Sequence, residues 1–417
     1  MESSYTFEPV VRSTALRPRV LLLGKTLHDG GEALRNSDLF EIHVSLTTLS
    51  TTRILRERVL TRLKTLDAED RDQLLAKIPK HIAKYGPYQA LVARLSPKPY
   101  EPFDAELLSP FMPHLRIVVS AQCGYNDFDV NWMTNQGIWF CNSRNATCEA
   151  TADMAMFLVL GVLRNTSLAE QNLRNGLWRA GLGLGQDPSG KTLGIVGMGK
   201  TGSLLARKAS IAFGMRVAYW NHSGRSVSAP SNSFYRRCDT LDDLLKCSDI
   251  VSLHCPLTEG TRGLMSRDKF NKMRYGSYFI NASRGALVDD EALVESLETG
   301  KIRRAGLDVF DNEPAGIHPY FRSRPDKVVV QPHMGGLTEA SFARAAAECF
   351  GNLRNYFETG SPWTAVNEVS SLDLWTVSGR RTSGMIEDSI PLNLGTDTEH
   401  QKADHCETPR IAIMQFH

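Results

Sequence analysis

Leu193-Gly194-Ile195-Val196-Gly197-Met198-Gly199-Lys200-Thr201-Gly202 reads as a short apolar strand running into a glycine-rich turn, with a helical run opening at Ser203. Each glycine has a physical reason in such a turn. Gly197 permits the tight bend, Gly199 lets backbone approach a pyrophosphate, and Gly202 lets helix and strand pack closely. Amides at the start of the helix, from Lys200, Thr201 and Gly202, then face the diphosphate. A single GxGxxG also occurs in ordinary turns. Here a second strand, Arg216-Val217-Ala218-Tyr219-Trp220, follows at the right distance and ends at Asn221, so the reading is a dinucleotide site.

Strand-length apolar segments recur beyond it: Ile250 to Leu253, Ser277 to Ile280, Arg304 to Leu307 and Val328 to Val330. With Thr192 to Val196 and Arg216 to Tyr219 they supply the six strands of a complete dinucleotide-binding fold. Upstream, Val20 to Leu23, Phe40 to Val44, Ala90 to Ala93, Ile117 to Ser120 and Ile138 to Cys141 alternate with helical stretches such as Asp70 to Lys84. That alternation predicts another doubly wound parallel sheet. At 417 residues the chain is too long for one core, and two α/β domains with a cleft between them are expected. The expected division is a polar leader over 1–17, a first domain over 18–146 and 337–370, a dinucleotide-binding domain over 147–336, and an irregular tail over 371–417. A single long helix is expected over Thr147 to Arg174, serving as a subunit interface or as an interdomain core element. A last helix, Glu339 to Thr359, returns the chain to the first domain.

Bulk properties exclude several classes. The net charge is only +2, which offers no polyanion-binding surface. The eight cysteines, at 123, 141, 148, 238, 247, 255, 349 and 406, contain no CxxC pair, and no Cys/His spacing suggests a metal site. Scattered thiols suit a reducing compartment. Residues 1–17 lack the apolar segment of a signal peptide, and the longest apolar stretch, Met154 to Leu163, is too short to span a bilayer. Cytoplasm is the expectation, with neither nucleic acid nor membrane as a partner.

The cofactor is read from the end of the second strand. An NAD site would carry Asp or Glu there for the ribose hydroxyls, whereas this chain has Asn221 followed by His222, Ser223 and Arg225. Those residues favour NADP(H), with NAD(H) the alternative. Three further strands end in polar residues: Asn281-Ala282-Ser283-Arg284, Asp308 leading to Glu313, and Gln331-Pro332-His333 leading to Gly336. Strand carboxyl ends face the ligand crevice in open α/β sheets, so these groups are expected to converge there.

The segments GIVGMGKTG (194–202), NASRGALVDDEAL (281–293), AGLDVFDNEP (305–314) and QPHMGG (331–336) resemble those of the D-isomer-specific 2-hydroxyacid dehydrogenases, over residues 18 to 368. The resemblance implies a dinucleotide-binding domain inserted in a flavodoxin-like substrate domain, assembled as a homodimer. It implies Arg284, Glu313 and His333 as catalytic residues, with Asp308 holding the nicotinamide carboxamide. Thr151 and Ala282 are implied near the cofactor, as are Cys255-Pro256 and Gly336. The loop Ser120 to Asp127 would bind a substrate carboxylate through amides of Cys123 and Gly124, with Gln122 where relatives usually have glycine. Arg94-Leu95-Ser96 is expected to face the same cleft.

These roles fit the chemistry of reducing a 2-oxo acid. A forked guanidinium fixes the carboxylate and polarises the carbonyl. The forming alkoxide needs a proton donor such as histidine, with Glu313 orienting the ring. A small glyoxylate- or hydroxypyruvate-like substrate is the leading expectation. A bulkier aromatic or branched 2-oxo acid is the alternative, and a non-enzymatic nucleotide-sensing scaffold of the corepressor type is the rival from another class.

Overall fold

The computed structural model describes residues 17–23, 38–46, 64–93, 100–222, 224, 235–311, 313 and 315–369. Two parallel sheets organise them. The first comprises β1 (Arg19–Leu23), β2 (Glu41–Leu46), β3 (Lys64–Asp67), β4 (Ala90–Ala93), β5 (Ile117–Ser120) and β6 (Trp139–Asn142), in the order β3-β2-β1-β4-β5-β6. Without β3 that order is the flavodoxin-like 2-1-3-4-5, and β3 extends the edge beside β2. The second comprises β7 (Thr192–Val196), β8 (Arg216–Trp220), β9 (Tyr235–Arg237), β10 (Ile250–Leu253), β11 (Ser277–Asn281), β12 (Ile302–Leu307) and β13 (Val328–Val330), in the order β13-β12-β11-β10-β7-β8-β9. This is the doubly wound dinucleotide-binding order with one added strand. Its order reverses at β7, which places the glycine turn at the topological switch point where such sheets bind ligands.

β3 and β9 carry no apolar run (Lys-Thr-Leu-Asp and Tyr-Arg-Arg) and are absent from the sequence reading. Each lies at a sheet edge, where pairing on one side suffices and composition says little.

The helical expectations need one correction. The span from Thr147 to Arg174 is not one helix but two, α1 (Cys148–Arg164) and α2 (Thr166–Arg174), meeting at a 70° bend. Asn165 between them sits in the left-handed region at φ 55°, and its amide donates to the Gly161 carbonyl. Asparagine tolerates this conformation better than other non-glycine residues, so it ends a helix that apolar periodicity alone would continue. Ala152, Ala155, Leu158, Val159, Val162 and Leu163 of α1 are fully buried against the second sheet and α3 (Lys200–Phe213). Exposed apolar side chains are Phe157 on α1 itself and Leu173, Leu177, Trp178 and Leu184 on α2 and just beyond it. Among the described residues no single helix is long and apolar enough to cross a membrane.

The last helix, α4 (Glu339–Thr359), begins where the Thr338 hydroxyl accepts from the Ser341 amide, and stops at Gly360 with φ 87°. Ala345, Cys349, Phe350 and Leu353 on its inner face join Val20, Val92, Ile117 and Val119 in the core of the first sheet. The chain thus leaves the first sheet after β6, builds the second, and returns.

Candidate active site

The glycine turn has three kinds of surroundings. A β-carbon on Gly197 would lie 2.7 Å from the Cys255 amide nitrogen and 2.8 Å from the His254 carbonyl carbon, and φ there is +97°. A β-carbon on Gly202 would overlap the Gly197 carbonyl oxygen. At Gly199 the same β-carbon would meet nothing within 4 Å. Two glycines are therefore demanded by protein atoms, and the third borders open space at the start of α3, which no side chain caps. This cradle fits a diphosphate approached by backbone and helix amides.

Asn221 lies at the end of β8, as expected, and its Oδ1 accepts from the Met198 amide. The side chain thus braces the glycine turn, a role absent from the sequence reading. His222 is exposed beside the Trp220 ring, while Ser223 and Arg225 lie outside the described residues. Lys200 reaches away from the turn, donating to Asn145 Oδ1 at 2.6 Å. Cys255 is buried and Pro256 exposed on the adjoining loop. There His254 pairs with the Ser252 hydroxyl at 2.8 Å, and burial pushes its pKa down to about 4, so the ring is neutral at neutral pH.

Arg284, Glu313 and His333 stand at the carboxyl ends of β11, β12 and β13. His333 Nδ1 and Glu313 Oε2 are 2.7 Å apart, and the other Glu313 oxygen accepts from the Phe310 amide at 2.6 Å. Glu313 is thus anchored on one side and aims the imidazole with the other. His333 is itself in the left-handed region at φ 55°, a conformation histidine adopts more readily than most residues. Asp308 holds that backbone: its carbonyl accepts from the His333 amide at 2.8 Å, and its two carboxylate oxygens accept from Met334 and Gly335, each at 2.7 Å. Burial pushes the Asp308 carboxyl above its usual range despite these two amides. Thr151 comes to the same corner, its Oγ1 3.5 Å from where a Gly335 β-carbon would sit, and Gly336 abuts Thr147.

Arg284 is held from beneath. Asn281 Oδ1 accepts from the Ser283 amide and Nδ2 donates to the Arg284 carbonyl, while the Ser283 hydroxyl donates to Cys255 O at 2.6 Å. An Asn reaching two residues ahead is a turn signal legible in Asn-Ala-Ser, although its bearing on Arg284 escapes a sequence reading. Gly285 packs so closely on the Phe310–Asp311 peptide that a β-carbon would overlap it. The strand end bearing Arg284 is thereby fastened to the segment that leads to Glu313.

The first sheet supplies the facing loop. The guanidinium of Arg284 lies against Gly124: a β-carbon there would overlap Nη2 and fall 2.7 Å from Cζ. Asn126 Nδ2 donates to Leu257 O at 3.1 Å, again between loops of the two sheets. Asn142 Nδ2 donates to the Cys123 carbonyl, which orients the peptide before Gly124. Gln122 fits without a left-handed backbone, its amide donating to Ser120 Oγ and its carbonyl accepting from Ser143. The exposed Cys123 thiol lies 3.9 Å from the Arg144 carbonyl, and partial desolvation raises its pKa. Ala282 is buried behind the turn. Arg94, Leu95 and Ser96 lie outside the described residues.

Comparison with known proteins agrees with this geometry. Residues 156–335 match the family described as D-isomer specific 2-hydroxyacid dehydrogenase, NAD binding domain. The dehydrogenase efuE of Hormonema carpetanum is 49% identical over 310 residues, covering 74% of this chain and 76% of that protein. The 4-methyl-2-oxopentanoate reductase A of Aspergillus oryzae is 38% identical over 65% of this chain and 80% of its own length. Among solved structures, a glyoxylate reductase from Paecilomyes thermophila superposes with a TM-score of 0.71 at 32% identity, covering 84% of this chain and 98% of that one. A dinucleotide cradle at a switch point and this extent of likeness lead to one conclusion: the chain belongs to the D-isomer-specific 2-hydroxyacid dehydrogenases, oxidoreductases that use a nicotinamide cofactor.

Proposed function

We propose that the protein reduces a small 2-oxo acid of the glyoxylate or hydroxypyruvate kind to the D-2-hydroxy acid, with NADP(H) preferred. The reading is carried by the 2.7 Å pair of His333 Nδ1 and Glu313 Oε2, on a sheet edge whose Arg284 abuts the facing loop at Gly124. With Nδ1 committed to Glu313, Nε2 of His333 is left to give a proton to the carbonyl oxygen as it becomes an alkoxide. Arg284 pairs with the substrate carboxylate and draws charge from the carbonyl, and the amides of Cys123 and Gly124 hold that carboxylate from the other wall. The Gly197–Gly202 turn and the first amides of α3 would hold the diphosphate, and Asp308 and Thr151 would serve the nicotinamide end. When bound, the reduced nicotinamide supplies the hydride.

Residues 147–336 form the dinucleotide domain in this reading, and 18–146 with 337–370 the substrate domain. The exposed Phe157, Leu173, Leu177, Trp178 and Leu184 offer apolar side chains to a second copy of the chain, and a cytoplasmic homodimer is the proposed working form.

One observation favours a bulkier branched or aromatic substrate. Tyr125 and Met334 flank Gly124 and His333 and stay 42% and 39% exposed, giving the proposed site apolar neighbours. A spectrophotometric screen of glyoxylate, hydroxypyruvate, 4-methyl-2-oxopentanoate and phenylglyoxylate with NADPH and NADH decides between them. Higher kcat/KM for the first two supports the proposal, and higher values for the last two reassign the substrate. Absence of turnover with all four would favour a nucleotide-sensing scaffold.

A further inference from the structure

Cys238 and Cys247 belong to none of the chemistry above, yet their sulfurs lie 3.9 Å apart. Cys238 follows β9, and its amide donates to the Tyr219 carbonyl at 2.8 Å. The register of β8 with β9 pairs Tyr219 with Arg237, so Cys238 stands level with Trp220, one residue short of Asn221. Cys247 closes the short helix Leu241–Cys247, which begins three residues after Cys238. Cys238 is 3% exposed, packed among Ala218, Leu241 and Leu244, whereas Cys247 remains partly accessible. Among the described residues no group of three or more His, Cys, Asp or Glu is placed to hold a metal ion, and the Cys247 thiol otherwise donates only to the Leu244 carbonyl of its own helix, at 3.4 Å.

We propose that Cys238 and Cys247 form a peroxide-oxidisable pair that closes to an intramolecular disulfide. A disulfide requires an S–S length of roughly 2 Å, so the sulfurs must approach by about as much again. That shift falls at the last residue of a helix, where backbone restraint is weakest. Accessibility sets the order of events. The Cys247 sulfur attacks one oxygen of hydrogen peroxide; the S–O bond forms, the O–O bond breaks, water leaves, and Cys247 becomes a sulfenic acid. The Cys238 sulfur then attacks the Cys247 sulfur; the S–S bond forms, the S–O bond breaks, and hydroxide departs as water with the Cys238 proton. Two thiols are oxidised by two electrons, and one peroxide is reduced to two waters. Burial and the neighbouring sulfur push the Cys238 pKa up to about 12, so Cys238 is not the thiol that peroxide oxidises first.

The test is thiol mapping of the full-length protein after equimolar hydrogen peroxide, with free thiols alkylated under denaturing conditions. The expected result is loss of two of the eight thiols, restored by dithiothreitol. Trypsin cuts after Arg237, Lys246 and Arg262, so the bond should join peptide 238–246 to peptide 247–262, with fragmentation placing it on Cys247 rather than Cys255. Cys247→Ser should abolish the link and leave turnover unchanged. Cys238→Ser should leave a Cys247 sulfenic acid that dimedone captures. Recovery of both cysteines as free thiols, a link through Cys255, or Cys247 over-oxidised while Cys238 stays free would overturn the proposal. The wild-type map decides the matter even if a variant at buried Cys238 fails to fold.

Discussion

The guanidinium of Arg284 occupies the space in which any residue other than glycine at position 124 would carry its β-carbon. The two residues are 160 positions apart and hang from different sheets, so this contact sets the spacing between the proposed carboxylate clamp and the amides that face it. Gly124 has no left-handed backbone to require glycine, which makes the demand purely steric. Gly124→Ala should therefore displace Arg284 without unfolding the loop. A displacement near 1 Å is expected to lower kcat/KM for the 2-oxo acid by roughly a hundredfold, with NAD(P)H affinity, followed by nicotinamide fluorescence, unchanged. Unaltered kcat/KM would show that Arg284 does not act from this position.

His333→Ala removes the proposed proton donor, and turnover should fall by roughly 10²–10⁴-fold with little change in cofactor affinity. Glu313→Gln retains an acceptor for the Phe310 amide but loses the charge facing His333. It should lower kcat less than His333→Ala does and alter the pH profile of kcat/KM. A pH profile identical to that of the wild type would remove Glu313 from the mechanism.

The proposed preference for NADP(H) rests on the sequence from Asn221 to Arg225. A charge-assisted bond from Arg225 to a 2′-phosphate would contribute about 1.5–3 kcal/mol, so Arg225→Ala should erase most of a ten- to hundredfold preference for NADPH. Asn221→Asp is a sharper probe, because aspartate keeps an oxygen for the Met198 amide while adding a ribose acceptor and repelling the phosphate. The ratio of kcat/KM for NADPH over NADH should drop with the glycine turn intact. Equal efficiency with both cofactors in the wild type would count against the NADP(H) reading.

His254 gives a pH signature in stability. Its folded-state pKa of about 4 lies below the unfolded value, near 6.5. The unfolded chain therefore binds more protons between those values. The stability contribution is complete above pH about 6.5 and is lost as pH falls toward 4. His254→Gln retains a partner for the Ser252 hydroxyl and cannot titrate. Its urea-unfolding free energy should depend less steeply on pH across that window, and parallel curves for both proteins would refute the assignment.

Much of this architecture is legible from local pattern. Buried parallel strands are continuous apolar runs, so β4, β5, β7, β10 and β13 have the boundaries that the sequence suggests. The α4 helix does as well, because Thr338 and Gly360 mark its ends. The edge strands β3 and β9 carry no such run, and Asn165 breaks a helix without the glycine or proline that usually announces a stop.

By itself the sequence determined two α/β layers, a glycine turn after β7, and Arg284, Glu313 and His333 at strand ends, because strand period, helix caps and turn glycines act over a few residues. The pairing of Glu313 with His333 was expected and is present, but tertiary structure alone decided the other contacts. It turned Asn221 onto the Met198 amide, bound both Asp308 oxygens to the turn after His333, and drove Arg284 against Gly124. The physical reason is range: each of these contacts joins residues at least 20 positions apart, and sheet order and register determine which distant strand ends become neighbours.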